Sequence, residues 1–285
     1  MKPITTSVYT FSKLIEGGFL YVDKTSEIHA LLQPAFAQYF LARPRRFGKS
    51  LLISTLKAIF QGRRGLFEGL SIASTDYEWK PYPVIHLDMG STAAQTAEEL
   101  AGKLIYALDR NAIALGVSLQ QAHFADRFLE LVNTLTARDG RVVILVDEYD
   151  KPLLGHLGQP SSKPIQSVLK QFYSVIKTTE DSQRFALITG VSKFTKVSIF
   201  SDLNNLTDLT MDARSRWSAS NSRARRAIWA HTGSSRWTGV TPRPRFARLA
   251  SCMSRRRKKL CAAPSARTSP AACRPWASPQ TSSPT

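Results

Sequence analysis

The chain has 285 residues and a formal net charge of +18, with 39 Lys and Arg against 21 Asp and Glu. Residues 1–213 hold 23 basic and all 21 acidic residues, whereas residues 214–285 hold 16 basic residues and no acid, so the total describes no single domain. The longest apolar run, Val142–Val146, is far short of the roughly 20 residues of a membrane span. The cysteines (Cys252, Cys261, Cys273) all lie in the basic segment, which excludes a disulfide scaffold for the rest.

The first residues lack the apolar stretch of a signal peptide, so the expected setting is cytoplasmic, with no membrane partner. In chain order, Gln38–Ala42 predicts a short apolar strand that runs into a basic loop. Over Lys49–Phe60, the spacing of Leu52, Leu56, Ile59 and Phe60 predicts a helix with one buried face. Pro83–Met89 reads as a second strand. Thr96–Leu115 carries Leu100, Leu104, Leu108 and Leu115 on a helical stripe, Phe124–Ala137 is a further helix, and Asp139-Gly140 is a turn. The wholly apolar Val142–Val146 is the kind of strand buried on both faces of a parallel sheet. Ser161–Thr179 follows as a helix burying Val168, Leu169, Phe172 and Ile176, and Arg184–Val191 as a fourth strand. Such alternation predicts a three-layer α/β domain over residues 1–213, with a mostly parallel sheet.

Three strand ends carry chemistry. After the first strand stands Arg43-Pro44-Arg45-Arg46-Phe47-Gly48-Lys49-Ser50, whose end fits the phosphate-loop pattern G-x-x-x-x-G-K-[ST] with Arg43 in place of the first glycine. Gly48 lets backbone approach a phosphate, Lys49 reaches the β and γ oxygens, Ser50 offers a hydroxyl to Mg²⁺, and the helix N-terminus faces the anion. The apolar strand Val142–Val146 runs into Asp147-Glu148. In a P-loop ATPase the first acid holds the metal shell and the second orients or deprotonates the attacking water. The fourth strand ends Thr189-Gly190-Val191-Ser192, and either Thr189 or Ser192 can place a hydroxyl between the metal-binding strand and the γ-phosphate. Arg43, Arg45 and Arg46 suit bidentate phosphate contacts, with pairing to Asp150 as the alternative. Asp23-Lys24-Thr25 either seats the base or ribose or caps a helix, and Asp88 either lines the cleft or caps a loop. The histidines show no ligand-like spacing, so no metal beyond Mg²⁺ is expected.

Beyond residue 213, Arg, Ser, Ala and Pro make up 46 of 72 residues, and Val, Ile, Leu and Phe only five. That composition cannot bury enough apolar surface to offset chain entropy, so residues 214–285 are expected to be a disordered basic tail. Two origins are open: a nucleic-acid-binding arm densest at Arg255-Arg256-Arg257-Lys258-Lys259, or a GC-rich gene read out of frame. The second fits the missing acids and the scattered Trp and Cys.

The strings Arg43–Ser50 and Val146-Asp147-Glu148-Tyr149-Asp150-Lys151-Pro152 together resemble the bacterial AAA-ATPase-like family. Tyr21–Thr25, Thr189–Ser192 and Ser198–Leu206 match it too, so the resemblance covers residues 8–213 in order. It implies a P-loop NTPase fold that binds ATP and Mg²⁺ and hydrolyses ATP, and it makes Arg43 a usual departure. Members often continue into a domain resembling PD-(D/E)XK nucleases, which this chain is then expected to have lost. Shifted by two bases, codons for Arg216–Ala219 permit Leu-Val-Gly-Ile, which looks like a family continuation. Expected nucleotide contacts are Arg43, Arg45, Arg46, Phe47, Gly48, Lys49, Ser50, Leu51, Thr189 and Ser192. Lys49 and Glu148 are the catalytic candidates, and Ser50 and Asp147 the metal candidates. A nucleotide-binding switch without turnover is the rival reading, and self-association is left open.

Overall fold

A computed structural model describes residues 2–5, 7–192 and 206–210. The region 214–285, expected to be disordered, and the 213/214 boundary lie outside the described residues, as do Ser198–Asn205.

Two short helices, α1 (Phe11–Glu16) and α2 (Thr25–Leu32), precede strand β1 (Ala37–Ala42) and helix α3 (Lys49–Phe60). There follow β2 (Val84–Asp88), α4 (Ala97–Ala114), α5 (Phe124–Asp139), β3 (Val142–Asp147), α6 (Lys151–Leu154), α7 (Ser162–Thr178), β4 (Gln183–Gly190) and β5 (Thr207–Asp208). The strands form one sheet in the order β2-β3-β4-β1-β5, and every pairing is parallel. The three-layer α/β architecture with a parallel sheet is therefore as expected. Among the described residues no helix is long and apolar enough to cross a membrane.

Both faces of the sheet are covered, which is why its central strands read as continuous apolar runs. In β3, Val142, Ile144 and Val146 point into a core built with α4, α5 and α7, where Leu104, Phe128 and Phe172 are fully buried. Val143 and Leu145 point the other way, into a core with α1, α2 and α3 around Phe11, Leu56 and Phe60. The helix stripes read from the sequence are these buried faces, except that Val168 of α7 is half-buried against the core. Only Leu115 stands outside its helix, as the C-cap of α4.

β2 is an edge strand, and an unpaired edge leaves backbone groups without partners. Asn111 on α4 satisfies them at His86: its Oδ1 accepts from His86 N at 2.9 Å, and its Nδ2 donates to His86 O at 2.9 Å. One side-chain amide thus imitates a neighbouring strand. Burial lowers the pKa of the His86 imidazole, reinforced by Lys57 and opposed by Asp147 and Asp88.

Candidate functional site

The strand order sets the site. β4 lies between β3 and β1, so the carboxyl ends of these three strands adjoin. The loop after β1, the acids after β3 and the polar end of β4 meet there, at the edge where such sheets bind ligands.

The loop after β1 is shaped by two left-handed residues, Arg46 (φ 65°) and Gly48 (φ 78°). Gly48 is the N-cap of α3 with open space where a Cβ would stand, and no side chain caps the helix. The first N–H groups of α3 have no intrahelical acceptor and are available to an anion. Lys49 is buried, and its Nζ folds back across the loop to donate to Arg43 O at 3.0 Å and Pro44 O at 3.2 Å. Burial lowers its pKa, while Asp147, Glu148 and Asp150 pull the other way. Ser50 sits half-buried in the first turn of α3. Arg45 and Arg46 are exposed, whereas Arg43 is half-buried and its Nε is a buried donor with no hydrogen-bond partner.

Asp147 ends β3 and is 6% exposed. Its Oδ1 accepts from Thr189 Oγ1 at 2.6 Å and from Glu148 N at 3.0 Å. Of the two hydroxyls at the end of β4, Thr189 is therefore the one that meets the acid. Ser192 instead gives its backbone N–H to Asp150 and its carbonyl to the Tyr149 hydroxyl. Glu148 takes a left-handed backbone (φ 52°), unfavourable for a side chain of its size and of a kind concentrated at functional sites. That turn sends its carboxylate to the tight turn after β2, where a Cβ on Gly90 would lie 2.8 Å from Glu148 Oε2 and 2.9 Å from Asp88 Oδ1. Asp88 caps that turn by accepting from Gly90 N at 2.9 Å, and it also flanks Glu148.

A cavity of about 210 Å³ adjoins Phe47 and Gly48, lined mainly by Val8, Leu20, Val22 and Leu51 with Lys24. Asp23 does not face it as a ligand. Its Oδ1 accepts from Thr25 N at 2.8 Å and its Oδ2 from Ser71 N at 2.8 Å, the capping role. Burial would raise the Asp23 pKa, but these bonds from Ser71 and Thr25 outweigh it and hold the pKa low.

Asp150, weighed in the sequence only as a partner for the arginines, is 1% exposed. Among the described residues no ion pair joins it to Arg43, Arg45 or Arg46. Its Oδ2 accepts from Val191 N at 3.0 Å and Ser192 N at 2.8 Å. Three acids close together in sequence after an apolar strand, Asp147, Glu148 and Asp150, are a signal that something there needs charge, but not which acid does what.

These residues fit a nucleotide and its metal. The orphaned Arg43 Nε and the uncapped α3 N-terminus both lack an acceptor, and phosphate oxygens supply one. Among the described residues no cluster of three or more His, Cys, Asp or Glu is placed to hold a metal. Mg²⁺ is commonly held by one or two side chains with phosphates and water, a set that Ser50 and Asp147 match.

A profile of the AAA-ATPase-like family, described as predicted AAA-ATPase, matches residues 5–200. Over 217 residues the chain is 43% identical to an uncharacterized protein in the vnfD 5′ region of Azotobacter chroococcum, covering 75% of this chain and 42% of that protein. The chain thus spans about two fifths of the length of that curated relative. Among solved structures, it is similar to the Aeropyrum pernix ORC1 protein in complex with DNA, at 14% identity and a TM-score of 0.40 over 83% of this chain and 56% of that one. The ORC2 protein of the same organism, in ADPNP–ADP complexes, gives 13% identity and a TM-score of 0.37 over 70% and 44%.

Proposed function

The chain belongs to the AAA-ATPase-like family of predicted AAA-ATPases, and we propose that it binds ATP with Mg²⁺ at the joined ends of β1, β3 and β4 and hydrolyses it. The observation that carries this reading is the convergence of three strand ends. Lys49 lies within the electrostatic reach of Asp147, and Asp147 accepts from Thr189 at 2.6 Å.

The α3 N-terminus and the loop residues Arg43, Arg45, Arg46 and Phe47 receive the phosphates. Lys49 leaves the Arg43 and Pro44 carbonyls and turns its ammonium to the β and γ oxygens. Ser50 and Asp147 would hold Mg²⁺, which would supply positive charge beside the phosphoryl oxygens. Thr189 fixes the orientation of Asp147 by bonding its Oδ1. Glu148 accepts the proton of the attacking water. The apolar cavity beside Gly48 takes the base, with Leu51 on its wall.

The test uses the full chain, with nucleotide binding and phosphate release measured on wild type, Lys49→Ala and Glu148→Gln. Lys49→Ala is expected to weaken binding. Glu148→Gln is expected to keep binding and lose turnover by about 100-fold, the usual worth of a general base. Equal phosphate release from wild type and Glu148→Gln would remove Glu148 as the base. Binding without release from either protein would favour a nucleotide-operated switch.

A further inference from the structure

The corner between β3 and β4 contains more structure than metal binding needs. Tyr149 is 1% exposed, its N–H donates to Thr189 O at 2.9 Å, and its hydroxyl donates to Ser192 O at 2.7 Å. The Tyr149 carbonyl accepts from the buried Tyr173 hydroxyl at 3.1 Å, which ties the corner to α7. The ring packs against the end of β4, where a Cβ on Gly190 would stand 2.4 Å from two of its carbons. Asp150 closes the same corner from below: one oxygen accepts both N–H groups after Gly190, and the other has no hydrogen-bond partner. Gly190 O in turn accepts from Arg43 N at 3.0 Å, at the first position of the phosphate loop.

We propose that Asp150 is a positioning residue. With Tyr149 and Gly190 it latches the exit of β4 to the exit of β3, and so sets where Thr189 stands against the metal-binding Asp147. Two N–H groups on one buried carboxylate oxygen fix the direction in which the chain leaves β4. Thr189 is one residue before Gly190, so its hydroxyl is placed by that direction. A latch of this kind alters the orientation of Asp147 without touching the nucleotide. Displacements of about 1 Å at a catalytic centre lower rates by up to about 100-fold. The latch rests on the ATPase reading for its effect on turnover, but its geometry does not.

The experiment has two arms on the full chain. In the first, amide exchange is read at Val191 and Ser192. Both are expected to be protected in wild type and in Asp150→Asn, whose amide oxygen still accepts, and to lose protection in Asp150→Ala while the β3 amides stay slow. Unprotected Val191 and Ser192 amides in wild type overturn the latch with no variant needed, which keeps the test decisive if Asp150→Ala fails to fold. In the second arm, Asp150→Ala is expected to lower kcat by about 10- to 100-fold with ATP affinity within about 3-fold, and Asp150→Asn to restore most of it. The Asp150→Ala, Thr189→Val double variant should be no slower than the slower single variant, because the two act through one contact. Additive losses, or an unchanged kcat in Asp150→Ala, overturn the proposal. A wild type that hydrolyses nothing sinks the ATPase reading instead, and the exchange arm then decides the latch alone.

Discussion

Replacing Thr189 by valine isolates the hydrogen bond that orients Asp147. Valine keeps the branched shape and suits a strand, so the change exchanges one hydroxyl for a methyl inside a fully buried position. The lost bond is short, at 2.6 Å, and ends on a carboxylate that is itself 6% exposed. Hydrogen bonds to charged groups contribute about 1.5–3 kcal/mol. Asp147 Oδ1 keeps a second donor, Glu148 N at 3.0 Å, so it is not orphaned and the loss falls in the lower half of that range, about 1.5–2 kcal/mol. For a folded body of about 200 residues, 1 kcal/mol shifts Tm by about 2–4 °C, which gives a decrease of roughly 3–8 °C. Urea unfolding should show a lower midpoint at an unchanged m-value, the mark of a native-state loss. The Mg²⁺ concentration for half-maximal ATP turnover should rise in the same variant. A valine protein that melts within about 1 °C of wild type and has the same Mg²⁺ requirement would refute the role given to this contact.

The edge cap and the buried imidazole give two further tests. Asn111→Leu strips both partners from the His86 backbone and should destabilise by about 2 kcal/mol, since half-buried groups recover only part of their hydration; a midpoint equal to wild type in urea would show that water caps the edge as well as the amide does. The folded-state pKa of His86 lies below its ordinary value of 6.5. As pH falls through that value the unfolded chain takes up a proton first, so stability is highest above it and declines on acidification until the folded imidazole is also charged. Melting curves between pH 7.5 and 5.5 should fall more for wild type than for His86→Gln, and parallel curves would rule His86 out as the source.

The helices and strands that repeat a clear period were readable because burial imposes that period: Leu100, Leu104 and Leu108 mark the inner face of α4, and Val142–Val146 a strand covered on both sides. The phosphate loop and the Asp147-Glu148 pair were legible as residue types next to strand ends. The order that brings them together, with β4 inserted between β1 and β3, was not, because strand order leaves no local trace. Which of Thr189 and Ser192 meets Asp147 depends on where β4 ends beside β3, and only the fold supplies that. Asn111 carries no sign that its amide completes an edge strand 25 residues away. Asp150 looked like one more surface acid, though the neighbouring Thr189-Gly190 hinted at close packing, since a glycine ending a strand often marks another group's approach. The short α1 and α2 escaped detection because neither is long enough to display a helical period.

The placement of β1 has a consequence for synthesis. Ala37 pairs with Phe185 and Ala42 with Gly190, so the first strand made waits for almost the last strand of the described sheet. At about 5–20 residues per second, a ribosome needs roughly 7–30 s to travel from Ala42 to Gly190. During that interval Tyr39, Phe40 and Leu41 leave the exit tunnel with unpaired backbone and no strand to lie against. Distant parallel pairing is also slow once both partners exist. The phosphate loop is thus among the first parts of the site to be translated and among the last to gain its shape.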